Sequence, residues 1–193
     1  MARPPRFDTD QLLDAAVALA AAGGPAAVTM SAVAQAVGAP SGSVYHRFAG
    51  RPALLAEVWL RTVERFQQGY LAVLDGEPDP HRAARAGSRY VVGWSRENPR
   101  EATLLLYGAA DFGRADWSGE HTARADSGNG RVFAAVGGLA RALGATDEQA
   151  RDRVTVALVD LPLSVVRRHL RAGVPLPPHA ESLAEECTAA LLA

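Results

Sequence analysis

The sequence of 193 residues contains no lysine and only one cysteine, and these scarcities exclude several kinds of site. A single cysteine, Cys187, cannot form a disulfide framework or a cysteine-based metal centre. The five histidines are scattered along the chain without the spacing of metal ligands: His46, His81, His121, His169 and His179. We therefore expect neither a metal nor another cofactor.

Long apolar runs are also missing. No uncharged apolar stretch reaches the roughly eighteen residues that a membrane-spanning helix needs. The amino-terminal MARPPRF lacks the apolar segment of a signal peptide, and Asp8, Asp10 and Asp14 follow it. These features predict a cytoplasmic protein without a membrane partner. A net charge of −1 gives no global basic field, so any contact with nucleic acid must use a local basic strip.

Residues 29–48, TMSAVAQAVGAPSGSVYHRF, have the pattern of two short helices around a tight turn. The apolar spacing predicts a first helix from Met30 to Val37, with Thr29 as its N-cap. Gly38 allows the backbone to turn with a positive φ, and Pro40 cannot continue the helix. A second helix is expected to begin near Ser41.

The second helix has two different faces. Val44 and Phe48 lie four residues apart on an apolar side. The other side carries residues that can hydrogen-bond to an external partner: Ser41, Ser43, Tyr45, His46 and Arg47. A helix, a glycine turn and a second helix with a polar, aromatic and basic face form the helix-turn-helix pattern of DNA-binding proteins. The alternative is a helical hairpin whose polar face is simply solvated.

The run AVAQAVGAPSGSVYHRF, followed by Arg51 and by Leu54 and Leu55, resembles the signature of the TetR family of bacterial transcription regulators over residues 8–56. The resemblance implies that Thr29 and Arg51 contact phosphates at two helix N-termini. Pro40 stands where the family usually has a capping serine, so Ser41 is expected to take over the cap. The DNA-binding residues implied by the motif are Thr29, Ser41, Gly42, Ser43, Tyr45, His46, Arg47 and Arg51.

The rest of the chain is predicted to be helical, which makes the fold class all-α. The predicted helices span Thr9 to about Ala22, Pro52–Leu74, Arg82–Glu97, Arg100–Ala110, Arg131–Leu143, Thr146–Arg171 with a kink at Pro162, and His179–Leu192. Residues 75–80 are expected to form a loop, 111–130 to be irregular and partly disordered, and 1–7 to be a mobile arm. This organisation predicts a three-helix domain at 1–51, joined by a long helix to a second helical domain at 52–193. The resemblance implies that the first domain binds DNA and that the second binds a ligand and dimerises.

A candidate small-molecule site comes from aromatic and polar residues downstream. Apolar walls with a few polar groups suit a ligand cavity, although ordinary core packing is the alternative for each residue. Asp160 lies in the apolar run VTVALVDLPLSVV, where it can face a ligand, pair with an arginine or lie on a dimer surface. The other candidates are Tyr90, Trp94, Tyr107, Phe112, Trp117, His121 and Phe133.

The resemblance further implies a homodimer formed by the last two long helices, a palindromic double-stranded DNA operator and a small-molecule effector. We therefore expect a sequence-specific transcriptional regulator, most simply a ligand-responsive repressor. The sequence has no nucleophile elbow, phosphate-binding loop or dinucleotide-binding glycine pattern, so we expect no enzyme. A helical enzyme and an adaptor that binds only protein remain the alternatives.

Overall fold

The computed structural model describes residues 8–193, and its regular elements in that range are helical, which confirms the all-α fold class. The predicted arm at residues 1–7 lies outside the described residues. The helices are α1 (Thr9–Gly23), α2 (Met30–Ala36), α3 (Ser41–Tyr45), α4 (Arg51–Gly76), α5 (Pro80–Glu97), α6 (Pro99–Leu104), α7 (Gly119–Ala142), α8 (Glu148–Thr155), α9 (Leu161–Arg171) and α10 (Ala180–Leu191). Short 3₁₀ turns cover Pro25–Ala27 and Arg114–Asp116.

The first two helices begin at side-chain caps. Asp8 accepts a hydrogen bond from the backbone N–H of Gln11 at 2.7 Å, and the Gln11 side chain accepts from the Asp8 N–H at 3.2 Å. The Thr29 hydroxyl accepts from the Ala32 N–H at 3.0 Å, as predicted. These bonds satisfy backbone donors that have no partner inside the helix.

The start of α3 differs from the expectation. Pro40, with φ −58° and ψ 140°, occupies the N-cap position and Ser41 is the first helical residue, so Ser41 does not take over the cap. Proline has no side-chain acceptor, and this helix begins without a side-chain cap bond. Helix α3 ends at Tyr45, although the N–H of Phe48 still bonds to the Val44 carbonyl at 3.0 Å.

The long helix α4 exists and is longer than predicted, at 26 residues. It continues through Gly76, so only residues 77–79 of the expected 75–80 loop separate it from α5. Asp79 caps α5 by accepting from the Arg82 N–H at 2.8 Å, and Pro80 takes the first helical position, where it needs no N–H partner.

The expectation of an irregular segment at 111–130 was wrong from residue 119 onward. Helix α7 begins at Gly119 and runs without interruption through the predicted 131–143 helix. The Ser118 hydroxyl accepts from the His121 N–H at 3.3 Å at the start of this helix. Conversely, the helix predicted to reach Ala110 ends at Leu104, and turns connect it to α7.

The predicted kink at Pro162 takes the form of a π-helical segment at Val156–Asp160, between α8 and α9. Proline has no N–H to donate to the carbonyl four residues earlier, that of Leu158. The Tyr70 hydroxyl lies 3.4 Å from this carbonyl, and the buried Thr188 hydroxyl donates to the Ala157 carbonyl at 3.0 Å. Side chains from other helices therefore supply donors to this part of the backbone.

Contacts within the chain form two compact units. The first contains residues 1–63 and 103–125, and the second contains 64–102 and 126–193. Helices α4 and α7 therefore each contribute residues to both units. The predicted functional boundary between residues 51 and 52 is a different division and stays a prediction. Among the described residues, no helix is both long and apolar enough to cross a membrane.

Candidate nucleic-acid interface

Helix α3 is anchored by a small apolar core and presents its polar residues to solvent. Val44 and Phe48 are buried, whereas Tyr45 is 60% exposed and His46 and Arg47 are exposed as well. The core beneath them is formed by the buried residues Leu12, Val28, Val33, Val44 and Phe48, with Leu19 and Val37 partly buried against it. The two faces predicted from sequence are therefore present in the folded chain.

Two glycines lie in the turn and at the beginning of α3, and only the first has a conformation that requires glycine. Gly38 has φ +67°, a conformation that residues with a Cβ rarely adopt. Gly42 is exposed, and no heavy atom lies within 4 Å of the position a Cβ would occupy. The free protein therefore has room for a side chain at Gly42, and Ser43 beside it is half-buried.

Arg47 follows α3 at the surface. Its Nη1 lies 3.4 Å from the Thr9 hydroxyl, across 38 residues of sequence, so it lies beside the first turn of α1. A guanidinium there places a positive charge next to the exposed face of α3 and can reach an external phosphate.

Arg51, the first residue of α4, has a different environment from the one implied by the motif. Its Nε donates to the Val28 carbonyl at 2.8 Å, and its Nη2 donates to the Pro25 carbonyl at 2.9 Å. Both carbonyls belong to the connection between α1 and α2. The guanidinium thus binds the protein's own backbone within the first unit.

One set of contacts in this unit was not predicted. Arg61 of α4 forms ion pairs with Asp10, at 3.6 Å, and with Asp14, both on α1. The sequence does show that Asp10 and Asp14 lie four residues apart on α1. Nothing in it identifies Arg61, 47 residues after Asp14, as their partner. The pairs tie α1 to α4 beside the helix-turn-helix.

The predicted effector residues are divided between the two units. Tyr107, Phe112, Trp117 and His121 belong to the first. Phe112 is completely buried, with its ring perpendicular to that of Tyr107 at a centroid distance of 6.3 Å. The indole N–H of Trp117 donates to the Phe112 carbonyl at 2.9 Å. Phe112 and Trp117 therefore pack as core in this unit.

His121 lies in a polar network. Its Nε2 is 3.1 Å from a Glu57 carboxylate oxygen, and its Nδ1 is 2.8 Å from the Ser118 hydroxyl. Arg124 donates to the same Glu57 oxygen at 2.7 Å. The network connects the start of α7 to α4 within the first unit.

Tyr90 and Trp94 of α5 belong to an aromatic cluster in the second unit. Phe66 contacts both, with centroid distances of 5.7 Å to Tyr90 and 5.2 Å to Trp94, and Tyr70 lies 6.0 Å from Phe66. Burial raises the pKa of both tyrosine hydroxyls, and for Tyr90 the charge of Glu97 adds to this while Arg65 opposes it. The sequence prediction missed Phe66 and Tyr70, although their four-residue spacing places them on one face of α4.

A buried amide lies next to this cluster in sequence. Gln67 is 6% exposed and donates to the Asn129 side-chain oxygen at 3.0 Å. Its own carbonyl oxygen has no hydrogen-bond donor among the described residues. Gly128 makes room for it, since a Cβ there would lie 2.6 Å from that oxygen.

The remaining two candidates are on the surface. Phe133 is 75% exposed and Asp160 is exposed, so neither lines an internal cavity of the single chain. Two open grooves of about 150 and 410 Å³ lie around the end of α7 and the start of α8. None of the predicted effector residues lines either groove.

No group of histidine, cysteine and acidic residues within 8–193 is arranged to hold a metal ion.

Comparisons with known proteins agree with the helix-turn-helix geometry. Residues 12–58 match the family model described as bacterial regulatory proteins, tetR family. No curated protein sequence matches the chain.

Several solved structures share the fold. The TetR family regulator PfmR from Thermus thermophilus is 21% identical, with a TM-score of 0.70 and 96% of each chain covered. A transcriptional regulator from Rhodococcus sp. Rha1 is 20% identical, with a TM-score of 0.71 and 96% of each chain covered. FadR from Bacillus subtilis, solved in complex with stearoyl-CoA, is 13% identical, with a TM-score of 0.72 and coverage of 96% of this chain and 97% of its own.

The matched segment contains the buried and exposed faces of α2 and α3, and the shared fold extends over nearly the whole length of the chain. Residues 12–58 are therefore similar to the tetR family of bacterial regulatory proteins, and the chain shares the fold of solved TetR family regulators over nearly its whole length.

Proposed function

We propose that the protein is a sequence-specific DNA-binding transcriptional regulator, and more narrowly a ligand-responsive repressor that binds a palindromic operator as a homodimer. The observation that carries this proposal is α3 with the turn that follows it: Val44 and Phe48 are buried, while Tyr45, His46 and Arg47 are exposed. Because two apolar residues hold this segment to the core, its polar side is available to enter the major groove. Two copies related by a two-fold axis would read two half-sites about one DNA turn apart.

Selection of bound sequences from a random DNA pool tests the proposal. We expect a palindromic consensus whose half-sites are separated by about 10 base pairs or a multiple of that spacing. The matched negative control is the triple variant Tyr45→Ala, His46→Ala, Arg47→Ala, whose changes are all at the surface. Recovery of no consensus by the wild-type protein would refute sequence-specific DNA binding and favour an adaptor or an enzyme. Binding of the consensus by the triple variant with wild-type affinity would refute contact of these three residues with DNA.

The proposed contacts divide by chemistry. Ser41, Gly42 and Ser43 are proposed at base edges or the DNA backbone, while Thr29, Tyr45, His46 and Arg47 hold phosphates and fix the register. Arg51 is bound to the protein backbone and is not counted among these contacts.

Arg47→Ala is expected to weaken binding to every DNA sequence by a similar factor. Each phosphate that an arginine neutralises contributes about 0.9 to the slope of log affinity against log salt concentration. Titrations of a duplex at several salt concentrations should show the slope reduced by about that amount. Arg167→Ala, which removes an exposed arginine of α9, is the control and should leave the slope unchanged. An unaltered slope in Arg47→Ala would exclude the phosphate contact.

Gly42→Ala is expected to weaken DNA binding by about tenfold, or 1.4 kcal/mol, without lowering protein stability. The free protein has room for the methyl group, and alanine favours a helix more than glycine does. The DNA backbone or a base edge would meet that methyl if α3 approaches closely. The control is Gly130→Ala, an equally open position in α7, which should leave affinity unchanged. Wild-type affinity in Gly42→Ala would show that DNA does not approach this residue.

A small-molecule effector is part of the proposal. The effector residues proposed from sequence remain Tyr90, Trp94, Tyr107, Phe112, Trp117, His121, Phe133 and Asp160. The Bacillus subtilis relative holds stearoyl-CoA, which makes that compound one reasonable probe in a thermal-shift screen. A ligand at one hundred times its Kd stabilises the folded protein by about 2.7 kcal/mol.

The proposed response runs through α4, whose residues belong to both units. We call the α2–α3 segment of each subunit its DNA-reading head. An effector can change operator binding only if it binds with different affinities to two arrangements of the two heads in the dimer. Distances between spin labels on the two α3 helices of a dimer, measured with and without effector, test this. Identical distances in both states would refute the mechanism.

A further inference from the structure

We propose that Arg51 is a positioning residue of the DNA-reading head: it fixes the α1–α2 connection to the first turn of α4 and thereby sets where α2 and α3 present their side chains. The inference deepens the proposed DNA-binding function and rests on it. It assigns Arg51 a role different from the phosphate contact that the sequence motif implies.

The geometry carries the proposal. The Nε–H and Nη2–H groups of Arg51 point to two different carbonyls, those of Val28 at 2.8 Å and Pro25 at 2.9 Å. These carbonyls lie at the two ends of a short turn, which the Val28 N–H also closes by bonding to the Pro25 carbonyl at 3.2 Å. The next residue, Thr29, is the N-cap of α2. The arginine therefore fixes the backbone immediately before the helix-turn-helix begins.

The same bonds argue against a phosphate contact made through the Nε–Nη2 edge of the guanidinium. A guanidinium recognises phosphate best by directing two parallel N–H groups at it. The Nε–Nη2 edge of Arg51 already directs its N–H groups at backbone carbonyls. Moving this edge toward DNA would leave two carbonyls without their charged donor, at a cost larger than that of breaking a neutral hydrogen bond.

Three roles for Arg51 predict three different results. If Arg51 bound phosphate, its loss would weaken all DNA binding. It would also reduce the salt slope, which is the slope of log affinity against log salt concentration, by about 0.9. If it only stabilised the fold, its loss would reduce the active fraction, so binding to specific and non-specific DNA would fall together. If it positions the reading head, specific binding falls, non-specific binding is retained and the salt slope stays the same, because only base contacts require accurate placement of α3.

The experiment compares Arg51→Lys and Arg51→Gln with the wild-type protein. Lysine keeps the charge but has one nitrogen and cannot hold two separate carbonyls as the arginine fork does. Glutamine removes the charge but keeps one donor group. Affinity is measured across a range of salt concentrations for the operator selected from the random pool and for a non-specific duplex of the same length. All titrations are made below the unfolding temperature of each variant, and Arg47→Ala serves as the phosphate-contact comparator.

We expect both Arg51 variants to bind the operator about tenfold more weakly, the equivalent of one lost hydrogen bond to a charged group. Non-specific affinity should stay within about twofold of the wild type, with the wild-type salt slope. Amide hydrogens of Val28 to Ala36 should exchange faster in Arg51→Gln, which reports the loosened connection directly.

Two results would overturn the inference while leaving the proposed function intact. A salt slope reduced in Arg51→Gln but preserved in Arg51→Lys identifies a phosphate contact. Equal losses of specific and non-specific affinity identify a purely structural role. Failure of the wild-type protein to select any DNA sequence is a different result, since it refutes the DNA-binding function itself and the inference with it.

Discussion

Replacing Phe112 by alanine should lower the free energy of unfolding by about 3–5 kcal/mol. Phe112 is the largest side chain in the described structure that is completely buried, and it lies in the core of the first unit. Its removal loses the transfer free energy of the ring and leaves a cavity lined by Tyr107 and other neighbours that can close only partly. Urea denaturation followed by circular dichroism measures the change.

Phe133→Ala is the matched control, since it removes the same ring from a position that is 75% exposed. A surface substitution of this kind is expected to change stability by no more than about 0.5 kcal/mol. Equal costs at the two positions would contradict the packing described here. A cost below about 1 kcal/mol at Phe112 would favour its proposed role as a ligand-lining residue over a core role, because a ligand-lining residue already borders open space.

Much of the fold could be predicted because local chemistry decides it. Thr29 caps α2 through its own hydroxyl, and Gly38 turns the chain through its own φ, so a short sequence window contains the cause of each feature. Residues 119–130 show the limit of this reasoning. Their glycines and polar residues disfavour a helix locally, yet Gly128 is buried in α7 because Gln67 lies against it. That contact links residues far apart in the sequence, and propensity alone cannot reveal it.

The candidate site also has some features that the local sequence predicts and others that it does not. The two faces of α3 follow from the spacing of Val44 and Phe48 and were predicted. The hydrogen bonds of Arg51 were not, because its partners are backbone carbonyls, which exist at every residue and leave no trace in the sequence. The predicted effector residues show a related limit: aromatic composition marks residues that are buried, but it does not reveal that Phe112 and Tyr90 belong to different compact units.

Raising the pH above 10 should destabilise the protein by about 1.4 kcal/mol per pH unit through Tyr70 alone. Tyr70 is 3% exposed, and burial raises the pKa of its hydroxyl above the ordinary value of 10.0. The unfolded chain therefore releases this proton near pH 10, whereas the folded protein keeps it to a higher pH. Between these two pH values the folded state holds the extra proton, so its stability is complete below about pH 10 and falls as the pH rises.

The absence of lysine makes this pH effect easier to measure, because lysine side chains would otherwise titrate in the same pH range. Urea denaturation at several pH values between about 9 and 11.5 gives the free energy of unfolding as a function of pH. Tyr70→Phe should remove about 1.4 kcal/mol per pH unit from the slope above pH 10, leaving a smaller fall in which Tyr90 takes part, since its pKa is also raised. Tyr45→Phe, which changes an exposed tyrosine, should reproduce the wild-type curve. A slope unchanged by Tyr70→Phe would mean that water reaches this hydroxyl, and that the interior around the Leu158 carbonyl is more open than the packing of α4 against the π-helical segment indicates.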